Sequence, residues 1–154
     1  MSHSHSSPAN SASTPTATPC LCTALRRASR AVTRIYDTEF RDTGLRVTQY
    51  ALLSALSRSG EVRQSDLSEM TFLEETSLTR ALAVLHQSDW VSIRPGADRR
   101  EKRVSITEAG KAKLAQARPA WLKAQERLRQ AMPEAVWATL FAVLPSVAQT
   151  ASEI

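Results

Sequence analysis

From residue 20 onward, apolar residues recur with helical spacing except in one short region of strand spacing. In 20–40, Leu25, Ala28, Val32, Ile35 and Tyr36 share one side while Arg27, Arg30 and Arg34 take the other. That pattern predicts an amphipathic helix ended by Gly44. Leu52, Leu53 and Leu56 predict a second helix, N-capped by Thr48 and stopped by Gly60. After Val62, a short third helix is predicted over 65–70, and a fourth from about Glu75 to Ser88 with Leu78, Leu82 and Leu85 inward. The period then drops to two in 90–96 and 102–107, predicting an antiparallel hairpin with its tip at 96–101. Thr107 should cap a long helix that Pro119 kinks or splits near Arg118. Pro133 should open a last helix, interrupted at Pro145.

The fold class is therefore mainly α with a small antiparallel β-hairpin. Short consecutive helices followed at once by a basic hairpin make a winged helix-turn-helix. Four segments follow: a tail at 1–19, an N-terminal dimerisation helix at 20–46, the winged helix-turn-helix at 47–108, and C-terminal dimerisation helices at 109–154. The tail is Ser, Thr, Pro and Ala without charge, so it is expected to be disordered. The outer helices carry Trp121, Leu122, Leu128, Trp137, Leu140, Phe141 and Leu144, more apolar surface than one thin layer hides. A homodimer interface uses it, and a two-fold dimer suits a palindromic DNA site.

Charge narrows the partner. The formal charge is +5, with 16 Arg against four Lys. Arg favours bidentate anion recognition, although a GC-rich genome gives the same bias. Residues 58–111 are neutral, with nine basic and nine acidic side chains, yet 90–106 holds five basic against two acidic. An anion-binding face must therefore be local. On the fourth helix Thr76, Arg80, Ala83 and Gln87 lie opposite the leucine stripe, flanked by Ser77 and Thr79. Small hydroxylated residues let a helix sit deep in a major groove; the alternative is an ordinary solvated face. In the hairpin tip, Arg99 and Arg100 are candidates to grip DNA, with Asp98 orienting the Arg100 guanidinium and stiffening the tip. Lys102 and Arg103 are assigned to solvent or backbone phosphate.

"LEETSLTRALAVL", then "DWVSI", then "DRREKRVSITEAG" resemble the MarR family of transcriptional regulators. The family's reading-helix pattern Asp-x-Thr-Thr-Leu-Thr-Arg falls on Glu74, Thr76, Ser77, Leu78, Thr79 and Arg80. Its wing signature falls on Asp98 and Arg100, and its Val-x-Leu-Thr-x-x-Gly on Val104, Ile106, Thr107 and Gly110. "LRRASRAVTRIYDTEFRDTGLRVTQYALLSAL" is similar to the family's first two helices, so the likeness runs over about 20–145. Three positions depart from it: Glu75 stands where many relatives are basic, Arg63 where a Ser or Thr commonly caps, and Asp89 where Gly is usual. The second departure leaves Ser65 as the polar DNA-facing residue at that helix start.

The resemblance implies a double-stranded DNA partner, a homodimer, and a repressor released by a small aromatic or phenolic effector or by an oxidant. Candidate effector residues are Arg27 or Arg30 for a carboxylate, with Tyr36, Tyr50 or Trp121 as ring contacts; their alternative is a solvated face and core aromatics. Cys20 and Cys22 are redox candidates, since a helix N-terminus favours thiolate. At i, i+2 their side chains diverge, which disfavours a bridge within the chain and leaves pairing across a dimer as the redox option; the alternative is inert small residues. His3 and His5 lack the fixed geometry of a metal site, and neither metal nor cofactor is expected. No nucleophile–base pair or Gly-rich phosphate loop is present, which argues against an enzyme. No apolar run approaches a membrane span and no export signal is read, giving a cytoplasmic expectation. A winged-helix protein-interaction module without specific DNA binding is the other reading.

Overall fold

A computed structural model describes residues 19–98 and 100–154; the expected tail, apart from Pro19, and Arg99 lie outside the described residues. Six helices and a small sheet follow in order: α1 Leu21–Glu39, α2 Val47–Ser59, β1 Val62–Arg63, α3 Gln64–Thr71, α4 Glu75–Gln87, β2 Val91–Pro95, β3 Lys102–Ile106, α5 Glu108–Ala131 and α6 Glu134–Ser152.

The core belongs to the winged helix. Leu52, Leu53, Leu56, Leu67, Leu78, Leu82, Leu85, Val91 and Val104 are essentially inaccessible, and Phe40, Leu45 and Ala117 close the cluster from α1's end and α5. Burying a Leu or Val of this kind stabilises by about 1.5–3 kcal/mol. The leucine stripe of α4 thus fixes which face is left for solvent. Thr107 caps α5 as expected: its Oγ1 accepts from the Gly110 N–H (2.9 Å) and donates to the Asp89 carbonyl (2.6 Å). Gly110 is required there, because a Cβ would run into the Trp90 carbonyl oxygen. Asp89 adopts φ 58°, the left-handed conformation that its place in a usual glycine position demands.

Several expectations need correction. The hairpin is part of a three-stranded antiparallel sheet, order β1–β3–β2, because Val62 pairs with Val104 and Arg63 with Arg103. A strand of two residues carries no legible period. Helix α1 ends at Glu39, and a single 3-10 turn, Arg41–Thr43, intervenes before Gly44 at φ 73°. Helix α2 begins at Val47, so Thr48 lies inside it. The Arg46 N–H is satisfied by Gln49 Oε1 at 2.8 Å, and the Val47 N–H by Asp37 Oδ1 at 3.4 Å. Neither proline breaks its helix: α5 is continuous through Pro119 and α6 through Pro145. Both prolines are exposed, as are Ala115 and Phe141 one turn earlier, so water can serve the carbonyls that lose an N–H donor. Helix α6 is also long and apolar enough, by length and composition alone, to cross a membrane. Scattered Thr, Ser and Gln residues hid this from a search for unbroken apolar runs.

Candidate nucleic-acid interface

The outward side of α4 is built by default. With Leu78, Leu82 and Leu85 buried, Thr76, Ser77, Thr79, Arg80, Ala83 and Gln87 are all exposed. The first residue of α3 braces this face: Gln64 Nε2 donates to Thr79 Oγ1 at 2.9 Å.

The wing stands beside it. Strands β2 and β3 pair from Val91–Ile106 to Pro95–Lys102, and the Gly96 N–H to Glu101 carbonyl bond (2.8 Å) closes the tip. Asp98 stiffens that tip differently from the sequence expectation. Its Oδ1 accepts from the Arg100 backbone N–H at 3.1 Å, and its carbonyl accepts from the Glu101 N–H at 2.9 Å. It makes no ion pair with the Arg100 guanidinium, because the short Asp side chain is engaged by the turn itself. Arg100 is left exposed.

The register puts Arg63, Arg103 and Arg94 in one row across the sheet. Like charges directly opposite are unfavourable, and two acids compensate. Arg94 forks onto Glu61 through two 2.7 Å bonds, while Glu101 meets Arg103 at 2.7 Å and Arg63 at 3.6 Å. The Arg94 bonds hold the Glu61 carboxyl below its ordinary range and raise the Arg94 guanidinium in turn. Arg103 is therefore a half-buried sheet residue, not the solvated cation expected of it.

A polar notch runs between α4 and the wing. Ser65, Thr79 and Arg100, three of the candidate DNA-contact residues, line it with Arg63, Gln64, Glu75, Glu101 and Lys102. Thr76, Ser77 and Arg80 lie on α4 beyond the notch. Gln64 and Glu101 were missed in the sequence because their roles depend on β1, which brings the start of α3 against the wing. Among the described residues no group of His, Cys, Asp and Glu could hold a metal ion.

The candidate effector residues separate into two places. Tyr50 stacks on Trp121 (6.1 Å, 19° between planes) and meets Phe40 edge-on at 5.3 Å. Tyr50 and Trp121 line a cleft between α2 and α5 with Ser54, Arg58 and Arg118. Burial pushes the Tyr50 phenol up, against the opposing pull of Arg118 and Arg58. Tyr36 instead lines an apolar cavity of about 140 Å³ with Val32, Leu128, Met132, Trp137 and Phe141, and burial raises its phenol as well. Arg27 and Arg30 are exposed on α1 and line neither place. Cys20 and Cys22 are exposed, and a hydrogen bond with Thr23 lowers the Cys20 thiol below its usual range.

Residues 43–101 match the family model described as MarR family. The MosR transcriptional regulator of Mycobacterium tuberculosis, solved in complex with DNA, is 32% identical with a TM-score of 0.79, over 88% of this chain and 98% of that one. The uncharacterised HTH-type regulator YwoH of Bacillus subtilis is 26% identical over 68% of this chain and 76% of its own length. SarZ of Staphylococcus aureus, another HTH-type regulator, is 31% identical over 60% of this chain and 63% of its own length.

Proposed function

The chain belongs to the MarR family of transcriptional regulators, and from that premise we propose that it acts in the cytoplasm as a homodimeric repressor on a palindromic operator. Each α4 enters a major groove through Thr76, Ser77, Thr79 and Arg80. Each wing reaches the flanking minor groove through Arg99 and Arg100, and Ser65 meets the backbone between them. The observation that carries this reading is the notch: the exposed wing residue Arg100 lines it with Ser65 and with Thr79 of α4, the helix whose Thr76, Ser77 and Arg80 are exposed beyond it. A narrow minor groove focuses negative potential on an inserted Arg. Occupancy of the operator is sufficient to block transcription.

Residues 20–46 and 109–154 supply the dimer contacts. Leu122, Val136, Phe141, Val143 and Leu144 are each more than two-fifths exposed, which is costly unless another copy covers them. The effector reading falls on the α2–α5 cleft. A small aromatic acid would stack with Tyr50 and Trp121 and offer its carboxylate to Arg58 or Arg118 at the joint between reading head and dimer helices. Oxidation at Cys20 or Cys22 is the second route to release, supported by the lowered Cys20 thiol and its exposure.

Titration against the chain's own upstream intergenic DNA at several salt concentrations tests the reading. A bound palindrome whose affinity falls steeply with salt is expected. Absence of sequence preference at every salt concentration would leave the protein-interaction module as the better account.

A further inference from the structure

The reading helix opens on an acid. Glu75 is the first residue of α4, is exposed, and lies one turn before Thr79. Both line the notch, which Arg63, Arg100 and Lys102 also border. Yet none of the ion pairs among the described residues includes Glu75, whereas Arg63 faces Glu101 at 3.6 Å. Thr79 is differently placed: its Oγ1 already accepts from Gln64 Nε2, so its own proton is free to donate outward. Two side chains one turn apart therefore offer opposite polarity, an ionised acceptor and a hydroxyl donor.

The N-terminal residues of such a helix are the ones that meet base edges. An acceptor-only carboxylate must find a donor there, and the major groove offers two, cytosine N4 and adenine N6. Adenine sets its N7 acceptor beside that donor, which repels the second carboxylate oxygen, while cytosine presents the donor alone. The hydroxyl of Thr79 finds its acceptors at guanine O6 or N7. We propose that Glu75 specifies a cytosine in each operator half-site, with Thr79, held by Gln64, donating to a neighbouring guanine. This rests on the DNA-binding reading above. It also gives a carboxylate that the helix dipole favours at this end a partner beside the phosphates it opposes.

The test is selection of binding sites from randomised duplex DNA by the full chain and its Glu75→Gln variant. The substitution is at an exposed position, and a melting curve checks the fold. The wild type should select a two-fold symmetric site with one fixed cytosine per half-site. Glu75→Gln should relax that position toward adenine, which a Gln amide grips bidentately, changing relative preference there by roughly five- to a hundredfold and leaving the other positions as they were. A variant that keeps the same consensus and binds every sequence more tightly would overturn the proposal, since Glu75 would then act only on phosphate. A wild-type protein that selects no consensus would overturn DNA reading itself, and this assignment with it.

Discussion

The winged-helix half and the outer-helix half treat apolar residues in opposite ways. In the first, the stripes of α2, α3 and α4 and the inner face of the sheet are closed to solvent within one chain. In the second, neither α1 nor α6 buries a single residue, and Phe141 is 61% exposed although it packs against Trp137. One half completes its own core. The other keeps apolar surface in reserve, as the proposed dimer requires, and α5 belongs to both because Ala117 joins the core while Leu122 faces out.

The sharpest way to break this contrast is Phe141→Asp with Leu144→Asp. The pair should convert a dimer to a monomer by sedimentation and weaken operator binding about a hundredfold or more, because the second head loses its high effective concentration. The melting transition of the winged helix should survive. Leu82→Ala should do the reverse, costing about 2–5 kcal/mol in urea unfolding through a core cavity. A dimer lost at the same urea concentration in both variants would argue that the halves are not separable.

Smaller effects sharpen the surface account. Arg100→Ala should weaken operator binding by more than Lys102→Ala, whose loss should be that of one phosphate contact, about one unit of salt slope. Lys102 is a cleaner comparison than Arg103, since removing Arg103 also takes from Glu101 the nearer of its two cation partners. With benzoate as probe and Trp121 fluorescence as readout, Arg118→Ala should weaken binding roughly tenfold or more, and Arg30→Ala should leave it unchanged. Equal losses would move the carboxylate site to α1.

The smallest effect concerns Glu39, which accepts hydrogen bonds from Lys123 (2.9 Å) and Arg127 and ties the end of α1 to α5. Those cations lower its carboxyl below the ordinary range. Its contribution is therefore complete above the unfolded value of about 4.3 and fades as pH falls through the lowered folded value. The melting difference between wild type and Glu39→Gln should shrink below about pH 4. A difference that grows on acidification would contradict the assignment.

The leucine stripes made the helices and the reading face legible in the sequence, because burial at a period of 3.6 leaves a single surface over. What stayed hidden was decided by long-range pairing. Strand β1 is too short to show a period, so the arginine row and the roles of Gln64 and Glu101 were invisible. The effector cluster failed for a similar reason. Tyr36 and Tyr50 line separate cavities at different heights along α5, and the cations near Tyr50 come from α2 and α5 instead of α1. The two prolines misled because their local rule gives way where the freed carbonyl meets water.

Hydroxyl-radical footprinting of the selected operator tests the central claim most directly. Two matching protected patches should appear, with half-site centres about one helical turn apart, each flanked by a minor-groove protection that vanishes with Arg100→Ala. A single protected patch, or flanking protection that persists without Arg100, would contradict the account of a dimer reading with α4 and gripping with its wing.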